Sequence, residues 1–418
     1  QDHVKPELLF VGTEFGLFAT LDEGAHWHQL KGGLPTIQVR DLDIHRDWND
    51  LALATFGRGF YILDDYTPLR AMSEETLAGS EAILFPTREA LLYLEKNDRG
   101  LDRGFGFWTA ENPPFGAVFT YWLRDGFKTK QELRIEAEDK AREEESDTPV
   151  ATMAELRAED LEVGPGVFLV VIDADGRLVR RVKAGNGAGL QRVAWDLRLP
   201  SAAPTDLSPP DPSPWGGEEK GPLTLPGTYS ARLESKIDGV WSTLTESVEF
   251  DVVPLNLSTF APADMAAVMA FRTETRELRR QVLGARKLLS EAGNRIKHLR
   301  QALEDTPTAD PALMAEVEGL KTRYDAIDLA FNGDRTKGER NVFTPPSITN
   351  RVQRVMYDQW YTTQAPTNTH KQNLAWAMEA FDAELADLKQ LVVDLEAVEE
   401  SAEAAGAPWT PGRIPSRP

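Results

Sequence analysis

The chain has 418 residues, with 46 Lys and Arg against 67 Asp and Glu, so its net charge is −21 at neutral pH. This balance argues against nucleic acid as a partner, because phosphate recognition needs clustered cations, and no apolar run is long enough to span a bilayer. Cysteine is absent, which excludes disulfides, thiolate metal sites and cysteine nucleophiles. The composition is otherwise globular, and the length predicts roughly two or three domains.

Short strands separated by Gly- and Asp-containing turns characterise the first 80 residues. Alternation of apolar and polar residues in such short pieces predicts an antiparallel meander. The predicted strands are Leu8–Val11, Gly16–Leu21, His26–Leu30, Val39–His45, Asp50–Thr55 and Gly59–Leu63.

Within this meander, the sequence TLDEGAHW at Thr20–Trp27 predicts a tight hairpin. The Asp22 carboxylate can accept backbone N–H groups of the turn, Gly24 can adopt a positive φ, and Trp27 can pack beneath it. With Thr20, these residues match the Asp-box pattern Ser/Thr-x-Asp-x-Gly-x-x-Trp. Asp-boxes occupy the outer hairpins of propeller blades, so we expect a structural role for all four residues.

Longer alternating strands between residues 81 and 256 predict an immunoglobulin-like β-sandwich. The predicted strands are Ala117–Leu123, Val167–Asp173, Leu178–Lys183, Leu190–Leu197, Gly227–Leu233 and Val248–Val253. Two insertions interrupt the pattern. Residues 127–162 are charged and helix-prone, and residues 201–222 form a Pro- and Gly-rich loop that we expect on the surface.

Aromatic residues gather near the start of the predicted sandwich. They are Phe105, Phe107, Trp108, Phe115, Tyr121 and Trp122. We expect most of them in the core, and an exposed platform for sugar or peptide is the alternative.

From residue 257 to 405 the apolar residues recur at alternating spacings of three and four, which predicts helices with heptad seams. The predicted seams run from Phe271 to Leu303, from Leu313 to Phe331 and from Leu374 to Leu395, the last including Met378, with a shorter helix at Ile348–Val355. Short connections between such helices predict an antiparallel helical bundle. The Gly- and Pro-rich tail 406–418 cannot continue a helix.

A series of short motifs runs along the whole chain. They are GTEFGL at Gly12–Leu17, the Asp-box, GRGF at Gly57–Phe60, NPP at Asn112–Pro114, RVAWDLR at Arg192–Arg198, LPGTY at Leu225–Tyr229, PPS at Pro345–Ser347 and GAPW at Gly406–Trp409. Through these motifs the chain resembles the C-terminal half of bacterial sortilin-like proteins with BNR/Asp-box propellers, which are often labelled glycosyl hydrolases.

The resemblance and the residue patterns together give a multidomain β + α fold. Residues 1–80 are expected to be the last blade or two of a β-propeller, 81–256 the immunoglobulin-like sandwich, 257–405 the helical bundle and 406–418 an irregular tail. The resemblance also implies export to the periplasm or the extracellular space. Because the sequence begins at Gln1 without a signal peptide, we expect a mature or cleaved piece.

Four residues of the first strands are candidates for a ligand-binding propeller face: Glu14, Arg40, Asp43 and Arg58. Glu14 and Asp43 could form a carboxylate pair, since glycosidases hold two carboxyl groups roughly 5 to 10 Å apart across the sugar. A sialidase also needs clustered arginines, and no spacing singles out any in this sequence. Catalytic residues therefore stay unassigned.

The sequence predicts no metal or cofactor site. His26 and His28 would face one side of a strand, but a third ligand is not evident. Asp173 and Asp175 begin like a calcium loop, yet the closing Glu is absent, which favours a plain hairpin turn. P-loop, dinucleotide and Gly-x-Ser-x-Gly fingerprints are absent as well.

Our leading hypothesis is an exported, non-catalytic binding or scaffolding protein whose propeller recognises protein or glycan, with the sandwich and bundle as structural or assembly modules. A blade takes roughly 40 to 50 residues, so we expect the N-terminal propeller portion, on the same precursor or a separate chain, as partner. The alternative is a sialidase-like or other glycoside hydrolase whose active site lies mostly in missing blades. Convergent arginines and a carboxylate pair on the propeller face would favour the alternative.

Overall fold

The computed structural model describes residues 1–95, 110–209, 219–255 and 263–415. They form a mixed β and α structure with a C-terminal helical region, as the sequence predicts. The chain divides into two compact units. The first comprises Gln1–Arg198 and Pro226–Leu257, and the second comprises Leu199–Leu225 and Ser258–Pro418. Nowhere in the described ranges is a helix both long and apolar enough to cross a membrane.

The first unit begins with two three-stranded antiparallel sheets, β1-β2-β3 and β4-β5-β6. Their strands are β1 (Leu9–Thr13), β2 (Gly16–Thr20), β3 (His28–Leu30), β4 (Val39–His45), β5 (Asp50–Thr55) and β6 (Phe60–Leu63). One apolar cluster joins the two sheets, since it contains Leu17 of β2, Val39 of β4 and Leu51 of β5. A Cβ at Gly12 would lie 2.7 Å from Val39 Cγ1, so the close approach of β1 and β4 requires glycine there.

Asp2 fastens the N-terminus to this first part of the chain. Its fully buried carboxylate accepts hydrogen bonds from the Tyr66 hydroxyl at 2.6 Å and from Arg70 Nε at 2.8 Å. Burial alone would raise the pKa of Asp2, but the hydrogen bonds from Arg70 and Tyr66 outweigh it and hold the pKa well below its usual value. The pair closes a loop of 68 residues. Two short helices, α1 (Pro68–Ala71) and α2 (Glu74–Gly79), follow.

The rest of the first unit contains two further sheets, of six strands and of three. The strands are β7 (Ala82–Leu84), β8 (Ala90–Leu92), β9 (Ala117–Leu123), β10 (Gly166–Asp173), β11 (Leu178–Ala184), β12 (Gly189–Trp195), β13 (Gly227–Ile237), β14 (Val240–Thr243) and β15 (Val248–Pro254). The larger sheet has the order β11-β10-β13-β15-β8, with β14 beside β13, and the smaller has the order β12-β9-β7. All six strands predicted here are present, with ends that differ by at most four residues.

Aromatic side chains join the faces of these two sheets. Phe119 of β9 lies 5.1 Å from Phe250 of β15 between ring centres, and Trp195 of β12 lies 5.3 Å from Tyr229 of β13. Edge-to-face and tilted contacts at these distances are favourable for aromatic pairs. The core of this part of the chain therefore lies between the two sheets.

The charged segment between residues 127 and 162 carries two helices, α3 (Lys130–Glu143) and α4 (Met153–Asp160). Each begins with a capping box, in which a Thr hydroxyl and a Glu carboxylate satisfy the first backbone donors. Arg134 of α3 joins the pair by donating to Glu159 of α4 at 2.7 Å. Most side chains of these helices are exposed, so charge pairs and caps stabilise them more than burial does.

The helices of the second unit are α5 (Met265–Glu304), α6 (Pro311–Asn332), α7 (Arg335–Gly338), α8 (Ile348–Trp360) and α9 (Asn368–Ala404). The predicted seams of α5 and α6 largely coincide with one buried apolar cluster, which α9 also joins. Arg323 of α6 pairs with Asp394 of α9, and Phe331 packs on Phe381, so α6 and α9 run antiparallel. Met378 does not belong to the buried seam of α9, because it is 37% exposed while Ala377 is fully buried.

The segment Leu199–Leu225 lies between strands of the first unit in sequence but belongs to the second unit. We call its described residues, 199–209 and 219–225, the strap. The indole Nε1 of Trp360 donates to Lys220 O at 2.9 Å, and Arg279 pairs with Glu219. The prediction of a surface loop holds for most of residues 203–209, whereas Gly221 and Pro222 are buried.

Candidate functional site

The Asp22 hairpin joins β2 to β3 and is held by a local set of hydrogen bonds. The Thr20 hydroxyl donates to Asp22 Oδ1 at 2.6 Å and accepts from Gly24 N at 2.9 Å, and His26 N donates to Asp22 Oδ1 at 2.9 Å. Gly24 has a φ of +100°, which only glycine adopts easily. A Cβ at Gly24 would lie 3.7 Å from the Trp27 ring. The contacts of Thr20, Asp22 and Gly24 suit a turn-stabilising role, and Trp27 lies beside Gly24 with 43% of its surface exposed.

Asp22 also contacts His26 across the hairpin, and the two form an ion pair when the imidazole is protonated. Its Oδ2 lies 2.7 Å from His26 Nδ1. The hydrogen bonds from Thr20 and from His26 lower the pKa of Asp22 well below its usual value. The hydrogen bond to Asp22, and then its charge, raise the pKa of His26 above 6.5.

We expect Asp22→Asn to return the pKa of His26 toward 6.5, because the carboxylate charge is removed while the turn keeps its acceptor oxygen. A histidine whose pKa is raised on folding stabilises the fold below its unfolded pKa of 6.5, and this contribution is lost as pH rises through the folded pKa. Titration of the His26 ring protons by NMR measures the shift. Glu23→Gln in the same turn is the control, and an unchanged His26 pKa in Asp22→Asn would contradict the pairing.

The four propeller-face candidates do not converge into one site. Arg40 and Asp43 lie on β4, Glu14 lies in the β1–β2 turn and Arg58 in the β5–β6 turn, and all four are exposed. The Arg40 guanidinium carbon lies 4.9 Å from the Phe56 ring centre. No salt bridge links any of the four to another within the ranges that the structure describes.

One face of the sheet β4-β5-β6 exposes large apolar side chains. Along β6, Tyr61 and Leu63 pack into the core, whereas Phe60 and Ile62 point away from it and are 79% and 55% exposed. Phe60 lies opposite Ala54 of β5 and Ile62 lies opposite Ala52, so small residues continue the same face. We call Phe60, Ile62, Ala52 and Ala54 the apolar face. Phe56, in the adjoining turn, is 64% exposed.

A cleft in the first unit brings together residues of the NPP and RVAWDLR motifs, Pro113, Pro114 and Arg192, with charged side chains that lie outside those motifs. It is lined by Asp64, Asp65, Thr87, Arg88, Glu89, Pro113, Pro114 and Arg192, among others. Arg192 Nη2 donates to the carbonyl oxygens of Asp64 at 2.5 Å and Asp65 at 3.1 Å. Arg88 Nη1 donates to Asp50 Oδ1 at 3.1 Å and stacks 4.9 Å from the Trp48 ring centre. The backbone and side-chain anchors fix both guanidinium groups in the cleft wall.

Asp64 lies in this cleft, and its carboxyl group has a raised pKa. Burial, and then the negative charge of Asp50, raise its pKa, while Arg192 and Arg88 act in the opposite direction. A carboxyl group with a raised pKa in a cleft is a candidate proton donor. The charges that act on it, Asp50, Arg88 and Arg192, are 14, 24 and 128 residues away in sequence, so local spacing could not have revealed it.

Comparisons with protein-family models, with curated proteins and with solved structures found no match.

Two pairs of residues bear on the prediction that the chain has no metal site: His26 with His28, and Asp173 with Asp175. In the part of the chain that the structure describes, no group of three or more His, Asp or Glu side chains is placed to hold a metal ion. Asp173 Oδ1 instead accepts from the backbone N–H groups of Asp175 and Arg177, and Gly176 has a φ of +77°, which is the geometry of a hairpin turn. Phe105, Phe107 and Trp108 lie outside the described residues.

Proposed function

We propose that this chain is an exported, non-catalytic binding or scaffolding protein whose N-terminal strands complete a β-propeller with blades from the N-terminal propeller portion, on the same precursor or a separate chain. In this proposal the assembled propeller recognises protein or glycan. The resemblance to sortilin-like Asp-box proteins motivates it.

The observation that carries the proposal is the apolar face. A β-sheet that presents large apolar residues on both sides normally packs against another layer on each side. The sheet β4-β5-β6 has a packed side, which contains Leu51 and Leu53, and an open side with Phe60 and Ile62. The small residues Ala52 and Ala54 leave room on the open side for the side chains of a further sheet.

The open edge of β6 is also consistent with further propeller strands beside this sheet. In the described part of the chain β6 pairs only with β5, so its outer backbone groups face away from the sheet. The backbone groups of such an edge can pair with another strand, or another element can cover them. A neighbouring propeller blade would cover the apolar face, and a fourth strand of the same blade would pair with this edge.

Native mass spectrometry of the protein purified from its natural source tests the proposal. We expect the 46.5 kDa chain in complex with a polypeptide that carries further propeller blades. Phe60→Gln with Ile62→Thr should release that polypeptide, because the variants remove apolar area from the interface without touching the core. The matched control is Phe343→Gln with Val150→Thr, which alters residues 86% and 91% exposed elsewhere. A stable, monomeric chain with no such partner would refute the proposal.

A glycoside hydrolase is the second candidate, and the Asp64 cleft is the observation that favours it. Glycosidases use one carboxyl group of raised pKa as the general acid and a second as base or nucleophile. Glu89 and Asp65 line the same cleft and could supply the second group. A glycan-substrate screen separates the candidates: activity that Asp64→Asn abolishes would support the hydrolase, and inactivity across the screen would support the binding protein.

A further inference from the structure

Four cations lie on one face of the six-stranded sheet, on a protein whose net charge is −21. Val170 of β10 lies opposite Arg181 of β11 and opposite Arg232 of β13. Directly opposed residues point to the same side of a sheet, and residues two apart along a strand do so as well. Lys183 and Lys236 therefore share this face with the two arginines. We call these four residues the cationic face.

The cationic face points away from the smaller sheet. Tyr229 of β13 contacts Trp195 of the smaller sheet, so the odd-numbered positions of β13 face inward there. Leu233, at an odd-numbered position, is fully buried. Arg232 and Lys236, at even-numbered positions, consequently face outward and are partly exposed.

A buried carboxylate fixes the two arginines. Arg232 Nη2 donates to Glu234 Oε1 at 2.7 Å, and Arg181 Nε lies 3.7 Å from Glu234 Oε2. The Arg181 guanidinium carbon also lies 4.6 Å from the Trp241 ring centre. One carboxylate thus orients two guanidinium groups and neutralises only one of the two charges. Guanidinium groups oriented in advance bind carboxylates with a smaller loss of entropy.

An aromatic ring borders the cations. Trp241 of β14 lies opposite Lys236 of β13, whose Nζ is 5.9 Å from the ring centre. The ring packs on Phe168 at 4.9 Å between centres and remains 40% exposed. The surface therefore offers apolar ring area next to positive charge, which suits a ligand with both C–H faces and anionic groups.

The cations form two rows. Arg181 and Lys183 follow β11, Arg232 and Lys236 follow β13, and β10 lies between them, so the rows are about 10 Å apart. We propose that the cationic face and Trp241 bind a polysaccharide that carries a carboxylate on each sugar, a polyuronate. Successive carboxylates of an extended polyuronate project to alternate sides of the chain, which matches two parallel rows of cations. Its sugar rings have C–H faces for Trp241.

The geometry favours a polyuronate over a nucleic acid. Single-stranded nucleic acids bind through several aromatic rings on which successive bases stack, whereas among the described residues Trp241 is the one large exposed ring beside the cationic face. Their phosphates also follow a single backbone instead of alternating sides. Three carboxylates share this side of the sheet, Glu234 between the arginines and Glu249 and Asp251 of β15 beyond β13, and the four cations outnumber them. Because exposed charges are screened beyond about 8 Å at physiological salt, the more distant acids behind the net charge of −21 contribute little here.

Isothermal titration of the full chain with a polygalacturonate oligosaccharide tests the inference, with the methyl ester of the same oligosaccharide as the uncharged probe. We expect binding of the acid form only, weakening as salt rises. Lys183→Gln with Lys236→Gln should reduce affinity at least about tenfold, and neither lysine is needed to pair Glu234. The control is Arg124→Gln with Lys128→Gln, whose side chains are 45% and 44% exposed, close to the 43% of Arg181.

Trp241→Ala should also weaken binding of the acid form, because the sugar rings lose their apolar contact. Three results would overturn the inference: no binding by the wild-type chain, equal binding of the ester, or an equal loss in the control. Tighter binding of single-stranded DNA with the same number of charges would reassign the face to nucleic acid. The outcome is independent of the propeller partner, because the two tests use different surfaces.

Discussion

Leu289→Asp unfolds the helices of the second unit. Leu289 is 1% exposed at the middle of the α5 seam, so the substitution removes a packed apolar side chain and buries an unpaired charge. Losses of this kind exceed about 4 kcal/mol, a large fraction of the roughly 5 to 15 kcal/mol by which a typical domain is stable. Circular dichroism at 222 nm should show a large loss of helix at 25 °C.

The control for this prediction is Ser290→Asp, the exposed neighbour on the same helix. It adds the same charge to α5 without burying it, and its thermal melt should match that of the wild type within a few degrees. Hydrogen exchange should show that the strands of the first unit keep their protection in Leu289→Asp. A wild-type melt for Leu289→Asp would mean that the α5 seam is not buried.

Trp360→Ala detaches the strap from the helices. Trp360 is 2% exposed, and truncation of a buried Trp costs about 3 to 5 kcal/mol. The variant also leaves Lys220 O without the indole donor. In the variant, the hydrogen-exchange rate of the amides at residues 219–225 should increase over the wild-type rate. This factor of increase should be at least ten times the corresponding factor for the amides of α5.

The matched control is Trp376→Ala, because Trp376 lies on α9 and is 49% exposed. Its truncation removes the stacking of Arg351, at 5.0 Å, but little buried area. We expect a small change in melting temperature and no change at the strap. Equal exchange at residues 219–225 in both variants would contradict the anchoring role of Trp360.

The local sequence pattern predicted most of the strands and long helices because each repeats a period over many residues. Shorter elements were missed: β7, β8 and β14 have three or four residues, too few to show an alternation by themselves, whereas β3 and β6, equally short, were predicted from the Gly-containing turns beside them. The α9 seam was placed on Met378 instead of Ala377, because both lie three or four residues from Leu374 and from Phe381, and this spacing does not distinguish them.

The sequence pattern predicted one of the candidate sites and missed two others. The Asp22 turn could be predicted, since its donors and acceptors lie within seven residues of one another. The Asp64 cleft and the cationic face could not, because strand pairing brings their residues together from distant positions. Arg181 and Glu234, for example, meet only through the register of β10 with β11 and β13.

The strap also has a consequence for the order in which the protein folds. Lys220 precedes Trp360 by 140 residues, so at 5 to 20 residues per second the ribosome adds Trp360 about 7 to 28 s after Lys220. During that interval the first unit can receive all its strands and the strap can meet α5 through Arg279, but Trp360 of α8 is still missing, so the buried end of the strap, with Leu223, is covered only in part. Completion of the second unit is therefore coupled to the last stage of synthesis, and a chain arrested before α8 would expose an apolar segment open to chaperone binding.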